Sequence, residues 1–159
     1  MRYWLMKSEP SCYGIDHLMA ESQGQSPWWG VRNYQARNFM RDQMNPGDLA
    51  FFYHSSCPEP GIAGIVEVAT KASPDETQFD PTSPYFDPKA TFETPRWFNV
   101  EVKFLKKTPL VSLKELRAHP ELSRLRILAP GNRLSITPVD PADWRFITGR
   151  LMGLEGGDR

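Results

Sequence analysis

The chain has 159 residues, 40% of them hydrophobic and 24% charged, with 19 basic and 19 acidic side chains. That length suits one domain with a full-sized core, so neither a disulfide nor a metal is needed for folding, and disorder is excluded over most of the chain. A formal net charge of zero excludes a protein that coats nucleic acid through bulk charge, since such binding rests on counterion release at many phosphates.

Residues 3–6 read as a buried first strand, ended by Glu9-Pro10. A short helix is predicted over 15–21, with Ile15, Leu18 and Met19 on one face. Residues 24–27 read as a loop that delivers Trp28. The clearest helix of the first half spans 34–44. Ala36, Phe39, Met40 and Met44 face its core side, and Asn45-Pro46-Gly47-Asp48 stops it. The continuous apolar run 49–53 has strand length. A second strand is predicted over 62–70, with Gly61 and Gly64 marking a bend or a close backbone approach.

From 73 to 95 the chain turns rich in proline and aspartate. That is long for a structureless loop, and Tyr85, Phe86 and Phe92 suggest an ordered excursion packed on the body. Residues 96–105 alternate as a strand, with Phe98, Val100, Val102 and Phe104 on one side. Ser112-Leu113-Lys114-Glu115 forms a capping box for a helix that Pro120 closes. A late strand is predicted over 134–137. Asp140 as N-cap and Pro141 at the first helical position then open a last amphipathic helix carrying Trp144, Ile147 and Leu151. Five or six strands mixed with short helices, without a regular βαβ rhythm, point to an α+β fold with a strongly curved sheet or small barrel. Residues 1–152 are expected to form one domain, and 153–159 a flexible tail.

Cys12 and Cys57 form no Cys-x-x-Cys pair, which removes the zinc ribbon and the dithiol motif and fits a reducing cytoplasm. The first seven residues meet charge too soon for a signal peptide, and no run approaches the ~20 apolar residues of a membrane span. No metal-ligand spacing, P-loop, dinucleotide fingerprint or nucleophile elbow occurs. A Cys57 nucleophile activated by His54 has no further support in the sequence. The expectation is a cytoplasmic, monomeric binding domain without cofactor or metal, and not an enzyme.

The densest feature is Trp28-Trp29-Gly30-Val31-Arg32-Asn33-Tyr34, directly before a helix. Indole faces can sandwich a base, and a helix start offers unpaired N–H groups. The same two tryptophans could equally be core anchors, with Asn33 simply capping the helix. Lys7-Ser8-Glu9 and His54-Ser55 stand at the ends of two strands. Each could be an ordinary solvated strand end, or the three clusters could meet at the mouth of a pocket.

These clusters carry a resemblance. Residues 3–10, 30–38, 47–55, 61–68 and 133–139 resemble, in this order, the EVE domain family of the PUA-like group, which also holds the YTH and ASCH domains. The resemblance covers about residues 2 to 152. It implies a compact curved β-barrel of about five or six strands flanked by short helices, with a single pocket. It also implies nucleic acid as the partner, recognised through a modified base (first of all a modified cytosine in DNA) that is flipped into the pocket. Carried over by motif, the ligand-binding residues are Lys7, Ser8, Glu9, Trp28, Trp29, Gly30, Val31, Arg32, Asn33, Tyr34, His54 and Ser55. Arg37 and Arg41 are the phosphate-contact candidates. One position departs from the family's pattern: Trp29 stands where many relatives carry an acidic residue. The alternatives are an enzyme acting on nucleotides or nucleic acid, with Glu9, His54 or Cys57 in chemical roles, and a protein-interaction module.

Overall fold

A computed structural model describes residues 1–154 of the chain; the rest of the expected tail lies outside the described residues. Its centre is the apolar run predicted as a strand. β3 (Leu49–His54) is buried on both faces through Tyr53. An element with two apolar faces needs a strand on each side and a layer above and below. It pairs in parallel with β1 (Tyr3–Ser8) and antiparallel with β4 (Gly61–Val68). β4 in turn pairs with the long β7 (Glu101–Ser112), and β7 with the edge strand β2 (Gln25–Pro27). β8 (Ile136–Val139) closes the other side against β1. The sheet order is β2-β7-β4-β3-β1-β8. A separate two-stranded pair joins β5 (Ser73–Pro74) to β6 (Phe98–Asn99).

The alternation of side chains sends two apolar sets to opposite faces of this sheet. Trp4, Met6, Ala50 and Phe52 face one cluster, which, after the single turn α1 (Pro10–Tyr13), α2 (Ile15–Met19) and α3 (Tyr34–Asn38) cover with Ile15, Leu18 and Ala36. Leu5, Phe51 and Tyr53 face the other, covered by α4 (Leu113–Arg117) and α5 (Pro141–Phe146) with Leu116 and Trp144. Ser112 caps α4 by accepting from the Glu115 N–H, and Asp140 caps α5 ahead of Pro141. Helix 34–44 divides: α3 runs on into a π-helical turn, Phe39–Gln43. Phe39, Met40 and Met44 are buried as the helical spacing requires.

The structure also differs from the sequence-based expectation in the sheet. Residues 25–27 pair as the short edge strand β2, held by β7 rather than by any propensity of Gln-Ser-Pro. β7 runs on to Ser112, through Lys106, Lys107 and Pro109, a stretch whose polar side chains hide its periodicity. The pairing ladder ends at β2 and β8, so the sheet is open where a closed barrel was expected. Gly64 marks a close approach, as anticipated. A Cβ there would lie 2.7 Å from both Ile15 Cδ1 and the Lys106 carbonyl oxygen, beside register shifts that bend β4 against β7.

Candidate functional site

β1 and β3 run parallel and in register, Lys7 opposite Tyr53 and Ser8 opposite His54. Both strands therefore end at the same edge of the sheet. The Ser55 N–H donates to the Ser8 carbonyl at 2.9 Å, and the Lys7 N–H to the Ser135 carbonyl at 2.8 Å. Three segments remote in sequence meet there, at the carboxyl ends of parallel strands, where open sheets with parallel strands generally hold ligands.

The opposite wall comes from the segment after β2. The Trp28 N–H donates to the Val100 carbonyl at 2.9 Å, prolonging the β2–β7 pairing by one residue. The Trp28 ring is buried edge-on against Phe52, with ring centres 5.3 Å apart. Trp29 stays 39% exposed and meets Tyr13 edge-on, at 5.6 Å. Gly30 then turns with φ +86°, and a Cβ there would lie 2.8 Å from the Tyr85 ring. The Tyr85 ring can lie on the backbone only because residue 30 has no side chain.

Arg32 locks this wall in place. Its Nε and Nη2 donate to the Tyr85 carbonyl, Nη2 also to Thr77 Oγ1, and Nη1 to the Val31 carbonyl and to Asp75 Oδ2. All five guanidinium donors are thereby engaged. Asp75, 1% exposed, also accepts from the Gly30 N–H at 2.8 Å and from Thr77 N and Oγ1. The excursion over 73–95 is thus an ordered strap, and Asp75 and Arg32 fasten it to the aromatic segment.

Between these walls lies a cavity of about 350 Å³, within the range of roughly 300–1,000 Å³ usual for small-molecule sites. Of the residues named from sequence, Lys7, Ser8, Glu9, Trp28, Trp29, Gly30, Val31, Arg32 and Ser55 line it. Tyr13, Pro27, Ser56, Tyr85 and Ser135 line it as well and were not anticipated as site residues. For Tyr85 there was a signal in the aromatic content of the strap; for Ser135 there was none before the β1–β8 register was known. Among the described residues Glu9 is the one carboxylate of the lining. Burial holds the Lys7 ammonium below the ordinary lysine value. Tyr13 donates to Glu21 Oε2 at 2.8 Å, and its phenol is pushed up to about 12, first by burial.

The other named residues are placed elsewhere. Asn33 caps α3, its Oδ1 accepting from the Ala36 N–H at 3.0 Å. Tyr34 stacks on Trp97 with centres 4.8 Å apart and accepts a hydrogen bond from Arg96. His54 Nε2 accepts from the Ile15 N–H at 3.1 Å, so the ring is neutral and structural. Burial holds it below the ordinary histidine value. Arg37 lies over the Tyr34 ring and donates to the Arg96 carbonyl, while Arg41 pairs with Asp42 at 2.8 Å.

Comparison with known proteins bears on this geometry. A model of the EVE domain matches residues 2–150. Thymocyte nuclear protein 1 of Homo sapiens is 38% identical over 162 aligned residues, covering 91% of this chain and 72% of the human protein. A Pseudomonas syringae protein of solved structure is 46% identical, with a TM-score of 0.88 over 93% of this chain and 98% of that one. The structure of human THYN1 protein in complex with 5-methylcytosine-containing DNA gives a TM-score of 0.90 at 37% identity, over 98% of this chain and 99% of that one.

Proposed function

Because the chain belongs to the EVE domain family, we propose that it is a DNA-binding domain that takes a modified cytosine, flipped from its stack, into the cavity between β1, β3 and the strap. The observation that carries this reading is the pairing of indole and phenol walls with a single lining carboxylate, Glu9. A carboxylate accepts from the exocyclic amino group of cytosine and repels the carbonyl of thymine. The half-buried Lys7 ammonium stands beside Glu9 to donate to the rest of the base edge, and the Ser8 hydroxyl, which donates to the Tyr13 carbonyl at 2.6 Å, is left to accept. A 5-methyl group packed on Trp29 or Tyr85 adds about 0.8 kcal/mol per carbon buried, close to fourfold in affinity. The human relative bound to 5-methylcytosine-containing DNA supports this choice of base.

Binding, rather than catalysis, is the reading because His54 is held by the Ile15 N–H and has no free role as a base. We take residues 1–152 as one domain and read its bent, bulged but open sheet as a variant of the curved barrel of the PUA-like group. The free thiols Cys12 and Cys57 suit a reducing compartment. Among the described residues no helix is long and apolar enough to cross a membrane.

Titration of labelled oligonucleotides carrying one cytosine, 5-methylcytosine or thymine tests the reading. The methylated site is expected to bind about fourfold or more tighter than the unmodified one. Glu9→Gln should weaken both cytosine forms by roughly tenfold, the worth of one charged hydrogen bond. Equal affinity for all three bases would overturn it.

A further inference from the structure

A second cavity, also of about 350 Å³, lies on the other side of Lys7 and shares Ser55 and Ser56 with the first. Its lining is chemically different. Among the described residues it contains two cations, Lys7 and Arg117, and no carboxylate. Tyr53, only 2% exposed, is one of the lining residues, and its hydroxyl makes no hydrogen bond among the described residues. Burial, reinforced by Cys57 and opposed by Arg117, pushes that phenol up to about 12, so it is a donor at neutral pH. Asn132 Oδ1 accepts from the Leu134 N–H at 3.4 Å, and its Nδ2 is buried with no partner among the described residues. An unsatisfied buried donor is costly, and here Asn132 Nδ2 is one, beside the Tyr53 phenol and two cations that line the same space.

We propose that this second cavity is a phosphate subsite, which holds the backbone phosphodiester next to the nucleotide whose base enters the first cavity. Arg117 and Lys7 supply the charge; the Tyr53 hydroxyl and Asn132 Nδ2 supply directed donors. Leu113, Ile127 and Pro130 form the apolar part of the lining, suited to a deoxyribose face. Lys7 lies in the wall common to both cavities, which fixes the phosphate next to the base. The proposal rests on the base-reading function of the first cavity. What it adds is a sequence-independent anchor, because phosphate contacts position a duplex or strand without reading it.

The test uses the full chain with Arg117→Ala, Tyr53→Phe and the double variant, each first checked for an unchanged melting transition. Arg117 is exposed on α4 and Tyr53→Phe keeps the buried ring. Affinity for cytosine and 5-methylcytosine oligonucleotides is expected to fall together, about three- to tenfold, with the ratio between them unchanged. The salt dependence should flatten by about one counterion. A neutral methylphosphonate at the linkage flanking the modified base should abolish the difference between wild type and variants. Unchanged affinity and salt slope in the double variant would overturn the subsite while leaving the base reading intact. Loss of discrimination between bases in the wild type would instead count against the first cavity. In that case dimethyl phosphate, titrated against labelled protein, still decides the second. Shifts of the Asn132 side-chain amide that the double variant lacks support it, and an unmoved amide rejects it.

Discussion

An alanine at position 30 meets two obstacles. The backbone there has φ +86°, which costs a residue with a Cβ of order 1 kcal/mol, and that Cβ would stand 2.8 Å from the Tyr85 ring. Gly30→Ala is therefore expected to lower stability by roughly 1–3 kcal/mol and to lift Tyr85 off the cavity wall. Denaturant midpoints give the first effect, and the fluorescence response to bound oligonucleotide the second. A variant with full stability and full affinity would show that the Tyr85–Gly30 contact does not shape the site. Arg32 plays a different part from the one its charge suggests. From sequence it was a cation ready for a ligand. In the folded chain every one of its donors is spent on the strap and on its own segment.

At the scale of elements, the strap over 73–95 owes its order to few contacts. Asp75 holds the Gly30 N–H, Arg32 and Thr77, and Gln78 is buried between the carbonyls of Asp75 and Trp97. Asp75→Asn keeps the size and removes the charge facing Arg32. Breaking a fully buried pair costs about 3–5 kcal/mol; Arg32 keeps 23% side-chain exposure, so about 2 kcal/mol is expected. The loss should be local. Amide exchange at Gly30 and Thr77 should quicken and proteolysis within 76–95 should begin, while the β3 and β4 amides stay protected. Unchanged exchange at Gly30 would remove Asp75 from its role as the strap's anchor. The strap was legible as an ordered excursion from its aromatics, yet Tyr85 packs on the site while Phe86 and Phe92 stay 39% and 77% exposed. The strap's attachment was not legible, since Asp75 lies 45 residues from Gly30, and nothing local links the two.

At the scale of the whole molecule, His54 ties the end of β3 to the start of α2 and does so only when neutral. Burial holds its imidazole below the ordinary value of 6.5, with Asp16 opposing and Lys107 adding to the shift. The unfolded chain thus binds this proton more readily than the folded one. The contribution to stability is complete above about pH 6.5 and is lost as pH falls from there toward the folded value. Melting temperatures taken between about pH 8 and pH 5 should fall more for the wild type than for His54→Gln, whose amide oxygen can keep the Ile15 N–H satisfied. Parallel curves would exclude His54 as the source.

The amino-acid sequence by itself determined the elements whose signals are local: the apolar run of β3, the one-sided helix from Tyr34, and the Ser112 and Asp140 caps. It also determined the chemistry available to the site, because indoles, a carboxylate and a few cations are present whatever the fold. Only the tertiary structure decided which of them share a space. Parallel pairing of β1 with β3 brings Lys7-Ser8 beside Ser55 at one edge. The same register turns His54 toward α2, whereas Asn33 caps α3 through a contact three residues away. Strand direction and register are settled by burial of both sheet faces at once. That balance is summed over the whole core, and no single segment of the chain encodes it.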